Sequence, residues 1–353
     1  MNRVGIMLDW SIMESAIQGN KTYEHLPYYV EIGSQLGLEP VFFHPRHVNV
    51  QAQTVKGYFW NGKGLTPRVT RLPRVIHNRV LTGDAASRRV IQFLSRTRKV
   101  FNGLVVRDKG RVHHMLWKNP EIRRYLPHTV PYTRANLLQF LDRYRIVYVK
   151  PSIGSVGIGV VRIERQGDRF LSVASKHRHL LTKRDLIGEI ARWVGKRRFL
   201  IQQGVPLALY EGRTFDIRVS VQKNAERQWT VSGMVAKVAN QKNKLSNLSR
   251  GGSAVPIAQA LAPSFSQEEH QRVLDEISQA AIAIAKQYGS HFPSLADLGM
   301  DMGVDLQGNP YLIEVNVRDQ RYSFYKAGEI NMFERTYRHP MEYAKSLMEQ
   351  KIT

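Results

Sequence analysis

The chain of 353 residues contains no cysteine. That absence removes disulfides, thiolate zinc sites, thiol nucleophiles and thioester intermediates together, and it fits a reducing interior. Long apolar runs are also missing. No stretch approaches the roughly 20 apolar residues that a membrane span needs. The opening Met1–Asp9 segment reads as a first core strand rather than a secretion signal, because its apolar run is short and Asp9 interrupts it. Acid is the third scarcity. The 52 Lys and Arg residues outnumber 29 Asp and Glu, giving a net charge of +23. Arg68, Arg71, Arg74, Arg79, Arg88, Arg89, Arg96, Arg98 and Lys99 share their segment with a single acid, Asp84, and Val231–Gln267 holds none. Such a field attracts polyanions: nucleic acid, an acidic polymer or nucleotide phosphates. A basic surface also serves solubility. No helix-turn-helix, zinc finger or aromatic cluster supports nucleic acid as the partner.

What is present suits a globular protein of two or three lobes, with 42% hydrophobic and 23% charged residues. Residues 1 to about 100 alternate short apolar runs with polar breaks, predicting strands at Val4–Leu8, Pro40–Phe43 and Arg74–His77 and a helix over Tyr23–Leu36. Helical patterns follow at Val112–Tyr125 and Arg134–Tyr144. Strands are expected at Ile146–Pro151, Val160–Ile163, Phe199–Gln202, Phe215–Val221 and Val231–Val238. Ser266-Gln-Glu-Glu269 is a capping-box start for a helix whose apolar stripe runs from Val273 to Gly289, and Phe324 opens a terminal helical region.

The most informative stretch is Gly299–Asn316, where apolar and polar residues alternate on both sides of Gly308-Asn309-Pro310. With Gln307-Gly308 as a two-residue turn, Asp301 falls directly opposite Glu314, and Asn316 shares that face. Two carboxylates and an amide oxygen then converge, a donor set suited to Mg²⁺ or Mn²⁺. The competing reading is a surface hairpin. Against it, Glu314 lies inside the apolar run Tyr311–Val317, where a carboxylate needs a partner.

Pro151-Ser-Ile-Gly-Ser-Val-Gly-Ile-Gly159 lies between two expected strands. The glycines let backbone N–H groups approach an anion. P-loop and dinucleotide motifs both require a helix directly after the loop, and Val160-Val-Arg-Ile163 is strand-like. Either a phosphate loop or a flexible hairpin remains, and Lys150 leads into it. Phe199–Val205 reads as a nucleotide hinge or a plain buried strand. Asp216 and Arg218 share one strand face, as ligand contacts or as a structural ion pair. Asn247-Leu-Ser-Arg-Gly-Gly-Ser253 alone would be a surface loop.

Taken in order, these segments resemble the ATP-grasp superfamily over residues 105–320, in its glutamate-ligase and glutathione-synthetase-like branch. The whole chain is most similar to the YheC/YheD spore-coat-associated group, through Arg74-Val-Ile-His-Asn-Arg79 and Lys118–Pro127 as well. The resemblance implies an α+β ATP-grasp fold, two lobes gripping ATP, preceded by a small α/β N-terminal domain. Its divisions would be residues 1–105, then 106–205 with the phosphate loop, then 206–353 with the metal site. It implies ATP and Mg²⁺ (or Mn²⁺) as cofactors. Asp301, Glu314 and Asn316 would hold the metal. Lys109, Lys150, Ser155, Val156, Gly157 and Gly159 would hold phosphates, with Gln202, Gln203, Gly204 and Val205 as the adenine hinge. Asp216 and Asn247 complete the nucleotide set. Arg218, Arg250 and Lys150 would act on the reacting groups.

The implied activity is an ADP-forming carboxylate–amine ligase working through an acyl phosphate. Its partners would be small-molecule or peptide carboxylates and amines, with an anionic polymer or spore-coat proteins as further candidates. The expected location is the mother-cell cytoplasm and the spore coat. The chain departs from the family pattern at four points, and two of them, Ile158 and Leu245, motivate an alternative, a catalytically weak nucleotide-binding coat protein. Gln203 replaces a frequent Glu, Ile158 a frequent lysine and Leu245 an arginine, and no arginine immediately precedes Asp301.

Overall fold

The computed structural model describes residues 2–81, 84–106, 108–154, 158–174, 177–240 and 251–349. Three sheets organise them. In the first, strands Leu38–Phe43, Asn2–Met7, Val75–Asn78 and Lys99–Phe101 run parallel, and Thr54–Trp60 and Leu65–Arg71 extend it antiparallel. Strand alternation decides which helix covers which face. Val4, Ile6, Phe42, Val75 and Phe101 pack with helix Leu26–Leu36 and the C-terminal helix Ile330–Glu349. Met7, Val41, Phe43, Ile76 and Val100 pack with Ile91 and Leu94 of helix Ala85–Thr97 on the other. The last helix of the chain thus completes the core of its first sheet.

The second sheet is antiparallel and spans Thr129–Gln203, with Ile146–Pro151 between Val161–Gln166 and Phe199–Gln203. Helices Arg134–Arg143 and Lys183–Val194 cover one of its faces through Leu137, Phe140, Leu186 and Ile190. The third sheet orders Ser253–Pro256, Trp229–Val238, Arg213–Lys223, Asp297–Val304 and Pro310–Asn316, all antiparallel. The long helix Gln267–His291 packs on it, and Val112, Leu116, Ile122 and Tyr125 join the same core.

Three expectations need correction. Val112–Tyr125 is not one helix: helix Lys109–Trp117 stops, Asn119 caps a new start, and Pro120–Tyr125 forms a 3-10 turn. The capping box at Ser266 and Glu269 forms, but its helix runs through Gly289 to His291. A Cβ at Gly289 would lie 3.2 Å from the Trp229 ring, so this glycine serves close packing rather than termination. The late hairpin has a longer turn than two residues. Val304 pairs with Pro310, and the Asp305 carboxylate accepts from the N–H groups of Gln307 and Asn309. A register shift beside Ile313 then restores the pairing that the shorter turn would have given, and Asp301 does stand opposite Glu314.

Between the first and third sheets lies a buried polar junction. Asp297 is fully buried and accepts from His77 (3.0 Å), Arg79 (2.9 Å), Arg321 (2.7 Å) and Gln222 (2.8 Å). Arg79 also binds Glu24, and Asn102 bonds the backbone of residues 296, 297 and 317. Burial opposes ionisation of Asp297, yet the two guanidinium groups hold its carboxyl far below the usual range. Asp297→Asn keeps the volume and removes the charge that Arg79 and Arg321 share. The expected cost is about 3 to 5 kcal/mol, as for a broken buried pair, read as a fall in the urea midpoint. A loss below about 1 kcal/mol, typical of exposed pairs, would show that the junction does not depend on it.

Candidate functional site

The second and third sheets face each other across a cleft, and the sequence places its polar residues on the facing sides. On Ile146–Pro151 the odd-numbered Val147 and Val149 enter the core, turning Tyr148 and Lys150 outward. On Phe199–Gln203 the same alternation buries Phe199 and Ile201 and presents Leu200 and Gln202. Lys150 Nζ donates to Gln202 Oε1 (2.8 Å), and Gln202 Nε2 donates to Thr129 Oγ1 (2.9 Å). Lys109, Val112, His113, Leu116, Leu126, Leu200, Leu312 and Glu314 line the cleft with them. This is an apolar slot with a few directed polar groups, the usual form of a small-molecule site.

The floor comes from the third sheet. Arg218 stands opposite Asp301 on one side and Val235 on the other, and Asp216 stands opposite Lys237. Arg218 Nε donates to Asp301 Oδ1 (2.9 Å) and Nη1 to Asp319 Oδ1 (3.2 Å). Of the two readings left open for Asp216 and Arg218, a mutual ion pair is not the one Arg218 takes: its ion pairs run to Asp301 and Asp319. Lys237 instead lies 2.8 Å from Asp301 and 4.0 Å from Asp216. Glu314 is half-buried, and its partner is Lys109, Nζ to Oε1 3.4 Å. Asn316 pairs with Gly299, and its side chain makes no hydrogen bond to a described residue. Gly299 is required by crowding. A Cβ there would sit 2.5 Å from Asp319 Oδ1 and 3.0 Å from Arg218 Nη1.

The electrostatics follow from these neighbours. Burial, reinforced by the like charge of Lys109, lowers Lys150 to about 8, while Glu314 opposes the shift. Burial raises the Asp301 pKa, but Arg218 and Lys237 outweigh it and hold the carboxyl below its ordinary range. His113 is pushed down to about 4 by burial and by Lys150, so its ring is neutral and stacks on Trp117.

The structure therefore brings together Lys109, Lys150, Gln202, Asp216, Arg218, Asp301, Glu314 and Asn316. Gln203 turns away, its side chain accepting from the His128 N–H (3.3 Å). Gly204 donates to Ile146 O (2.8 Å), and a Cβ there would lie 2.3 Å from the Ile146 side chain. The Val205 N–H has no hydrogen-bond partner among the described residues, which leaves it for a ligand edge. Gly159 ends the glycine-rich loop, its carbonyl accepting from Trp193 Nε1 (3.1 Å). Ser155, Val156, Gly157, Leu245, Asn247 and Arg250 lie outside the described residues.

Sequence reasoning missed Lys237, Asp319 and His113. Lys237 carried a signal: it is the one charged residue in the strand Trp229–Val238. Asp319 carried none, because its role depends on Gly299 leaving space across the sheet.

Among the described residues no three His, Cys, Asp or Glu side chains form a metal cluster. The donor set is two carboxylates from adjacent strands and an amide. Hard oxygen donors opposed in register, with an unpartnered amide on the same face, fit a hard divalent cation.

Two lobes closing on such a cleft, behind an α/β N-terminal domain, define an ATP-grasp fold. Among solved structures, D-cycloserine synthetase DcsG superposes with a TM-score of 0.57 at 12% identity, covering 96% of this chain and 100% of that one. VanG D-Ala:D-Ser ligase from Enterococcus faecalis gives 0.52 at 12% identity, covering 97% and 99%. The chain belongs to the YheC/D like ATP-grasp family, whose model matches residues 97–347. It is 25% identical over 339 residues to the endospore coat-associated protein YheD of Bacillus subtilis (strain 168), covering 92% of this chain and 74% of that protein. No described helix is long and apolar enough to cross a membrane.

Lys150 offers a direct check. Reductive methylation followed by NMR titration should read its amine near pH 8, against roughly 10.4 for a solvated lysine. Removing the like charge in Lys109→Met should raise that value, and Glu314→Gln should lower it. An amine titrating above pH 10 would contradict the burial.

Proposed function

We propose that the protein is an ATP- and Mg²⁺-dependent carboxylate–amine ligase, acting through an acyl phosphate. The observation that carries this reading is the pairing of Asp301 with Glu314, with Lys109 bound to Glu314 and Lys150 across the cleft. A carboxylate cannot acylate an amine directly, because its oxygen is a poor leaving group. Transfer of the γ-phosphoryl group makes that oxygen part of a phosphate, which leaves when the amine attacks; ADP and phosphate are released.

Catalysis of such a transfer is mainly positioning and charge neutralisation. Asp301, Glu314 and Asn316 would hold Mg²⁺, which supplies charge neutralisation of the phosphate oxygens. Lys109 and Lys150 reach the phosphates from the cleft wall, and the Val205 N–H meets the base edge. Asp216 takes the ribose. Arg218, fixed between Asp301 and Asp319, faces the acyl oxygens and stabilises the tetrahedral oxyanion. Arg250 and Asn247 are assigned to the same step and to the nucleotide by the family pattern alone. The ligase titles of the structural neighbours support the reaction class. The name of the B. subtilis relative supports an association with the spore coat.

A second reading, a nucleotide-binding coat protein with little turnover, is favoured by Ile158. It is 62% exposed at the glycine-rich loop, where relatives often carry a lysine. ADP formation separates the two. With Mg²⁺ and panels of amino acids and acidic peptides, ADP should appear only when both a carboxylate and an amine are present. Glu314→Gln should lower the rate at least about 100-fold, as expected when a metal ligand and its charge are lost. Unchanged turnover in that variant would remove the metal assignment. Nucleotide binding with no ADP formed across the panel would favour the second reading.

The same site gives a pH dependence. Phosphate binding favours the charged form of Lys150, whose unliganded value is about 8. Nucleotide affinity should therefore hold below pH 8 and fall as pH rises past it, approaching about tenfold per unit. Lys150→Arg should flatten the profile between pH 7.5 and 9.5, measured by calorimetry. A wild-type affinity constant across that range would exclude Lys150 as a phosphate ligand.

A further inference from the structure

The glycine-rich segment carries no cation of its own. Between Lys150 and Arg162 the sequence holds none. Beside the loop is a second hollow, lined by Pro151, Ser152, Gly154, Ile158, Arg197 and Arg198. The two arginines follow helix Lys183–Val194 and precede strand Phe199–Gln203, and they differ in what engages them. Arg197 Nη2 donates to the Trp193 carbonyl (2.8 Å), and its guanidinium lies over the Phe199 ring, 5.2 Å from the centroid. Arg198 is exposed, and its side chain makes no hydrogen bond or ion pair with a described residue.

Its backbone fixes where that side chain starts. Lys150 pairs with Leu200, and the ladder continues as the Ser152 N–H donates to Arg198 O (3.0 Å). Arg198, Leu200 and Gln202 therefore follow one another on the face that looks into the cleft, each about 6.6 Å from the next. Gln202 lies at the hinge end, Leu200 opposite Lys150, and Arg198 at the end nearest the glycine-rich loop. Asp108, the carboxylate that feels the charge of Arg198, is already engaged. Asp108 accepts from the Arg111 N–H (3.0 Å) and from the Ser152 hydroxyl (2.6 Å). Against its partial burial, these bonds and the charge of Arg198 keep the Asp108 carboxyl ionised below its usual range.

We infer that Arg198 binds the β,γ end of a nucleoside triphosphate, supplying the cation that the glycine-rich loop does not carry. This rests on the cleft being a nucleotide site and adds a residue to it. A guanidinium is suited to the role, since its planar fork can contact two phosphate oxygens at once. AMP, held through its base, ribose and inner phosphate, would not reach it.

The test is calorimetric titration of the full chain with ATP and with AMP, in Mg²⁺, for wild type, Arg198→Gln, Arg198→Lys and Arg197→Gln. Arg198→Gln should weaken ATP about ten- to a hundredfold, the range for a charge-assisted contact, and leave AMP within about twofold. Arg198→Lys should recover part of the loss, and Arg197→Gln should keep the wild-type preference for ATP. ATP affinity unchanged in Arg198→Gln would overturn the inference, as would an equal loss for ATP and AMP. A wild-type chain that binds neither nucleotide would overturn the nucleotide reading of the cleft itself, a distinct failure.

Discussion

Asp297 is the hinge pin of the molecule's electrostatics. It is a fully buried carboxylate at the start of strand Asp297–Val304, and four donors from both sides of a domain junction converge on it. Its strand continues on the same face through Gly299 to Asp301. The adjacent strand contributes Gln222, Ser220 and Arg218 directly opposite. The result is a continuous polar row inside the protein, from the contact with the first sheet to the floor of the cleft. Asp319 ties its middle together, accepting from Ser220 and Arg218. Placing so many charges out of water is tolerable only because nearly every one has a partner. That requirement fixes Arg218 and Asp301 in position before any ligand arrives.

Fixed side chains of this kind are what the proposed transfer of a phosphoryl group would need. The chemistry makes little demand on proton transfer and a large demand on charges held at set points. The cleft has them on both walls, with Lys109 and Lys150 opposite Asp301 and Glu314. The third sheet is backed by the long helix Gln267–His291, whose apolar stripe packs in the same core. The second sheet carries Lys150 and Gln202, which are joined by a hydrogen bond.

Much of this was legible in the sequence, and the exceptions have physical causes. Strand periodicity found Ile146–Pro151 and both arms of the late hairpin, because alternation is strong wherever one face is buried. The turn between those arms was misjudged, since Asp305 organises a longer loop through its own hydrogen bonds. The site register survived because a bulge at Ile313 compensates. Gly289 looked like a helix end, but the Trp229 ring packed against it is a tertiary fact that no local pattern encodes. The carboxylates that hold Arg218 are tertiary facts of the same kind. Asp216 is its neighbour in sequence, whereas Asp301 and Asp319 are its neighbours across the sheet. Lys237 is legible as a lone charge in an apolar strand.

The C-terminal helix has a consequence for how the chain matures. Phe333, Tyr337, Met341 and Ala344 close the same core as Val4, Ile6 and Leu8. During synthesis the first sheet emerges with that flank uncovered and stays so until the final helix has been made. The apolar face waits through the whole translation of both lobes. Strand Asn2–Met7 is therefore sealed by helix Ile330–Glu349, and a chain terminated before that helix would leave an apolar face uncovered.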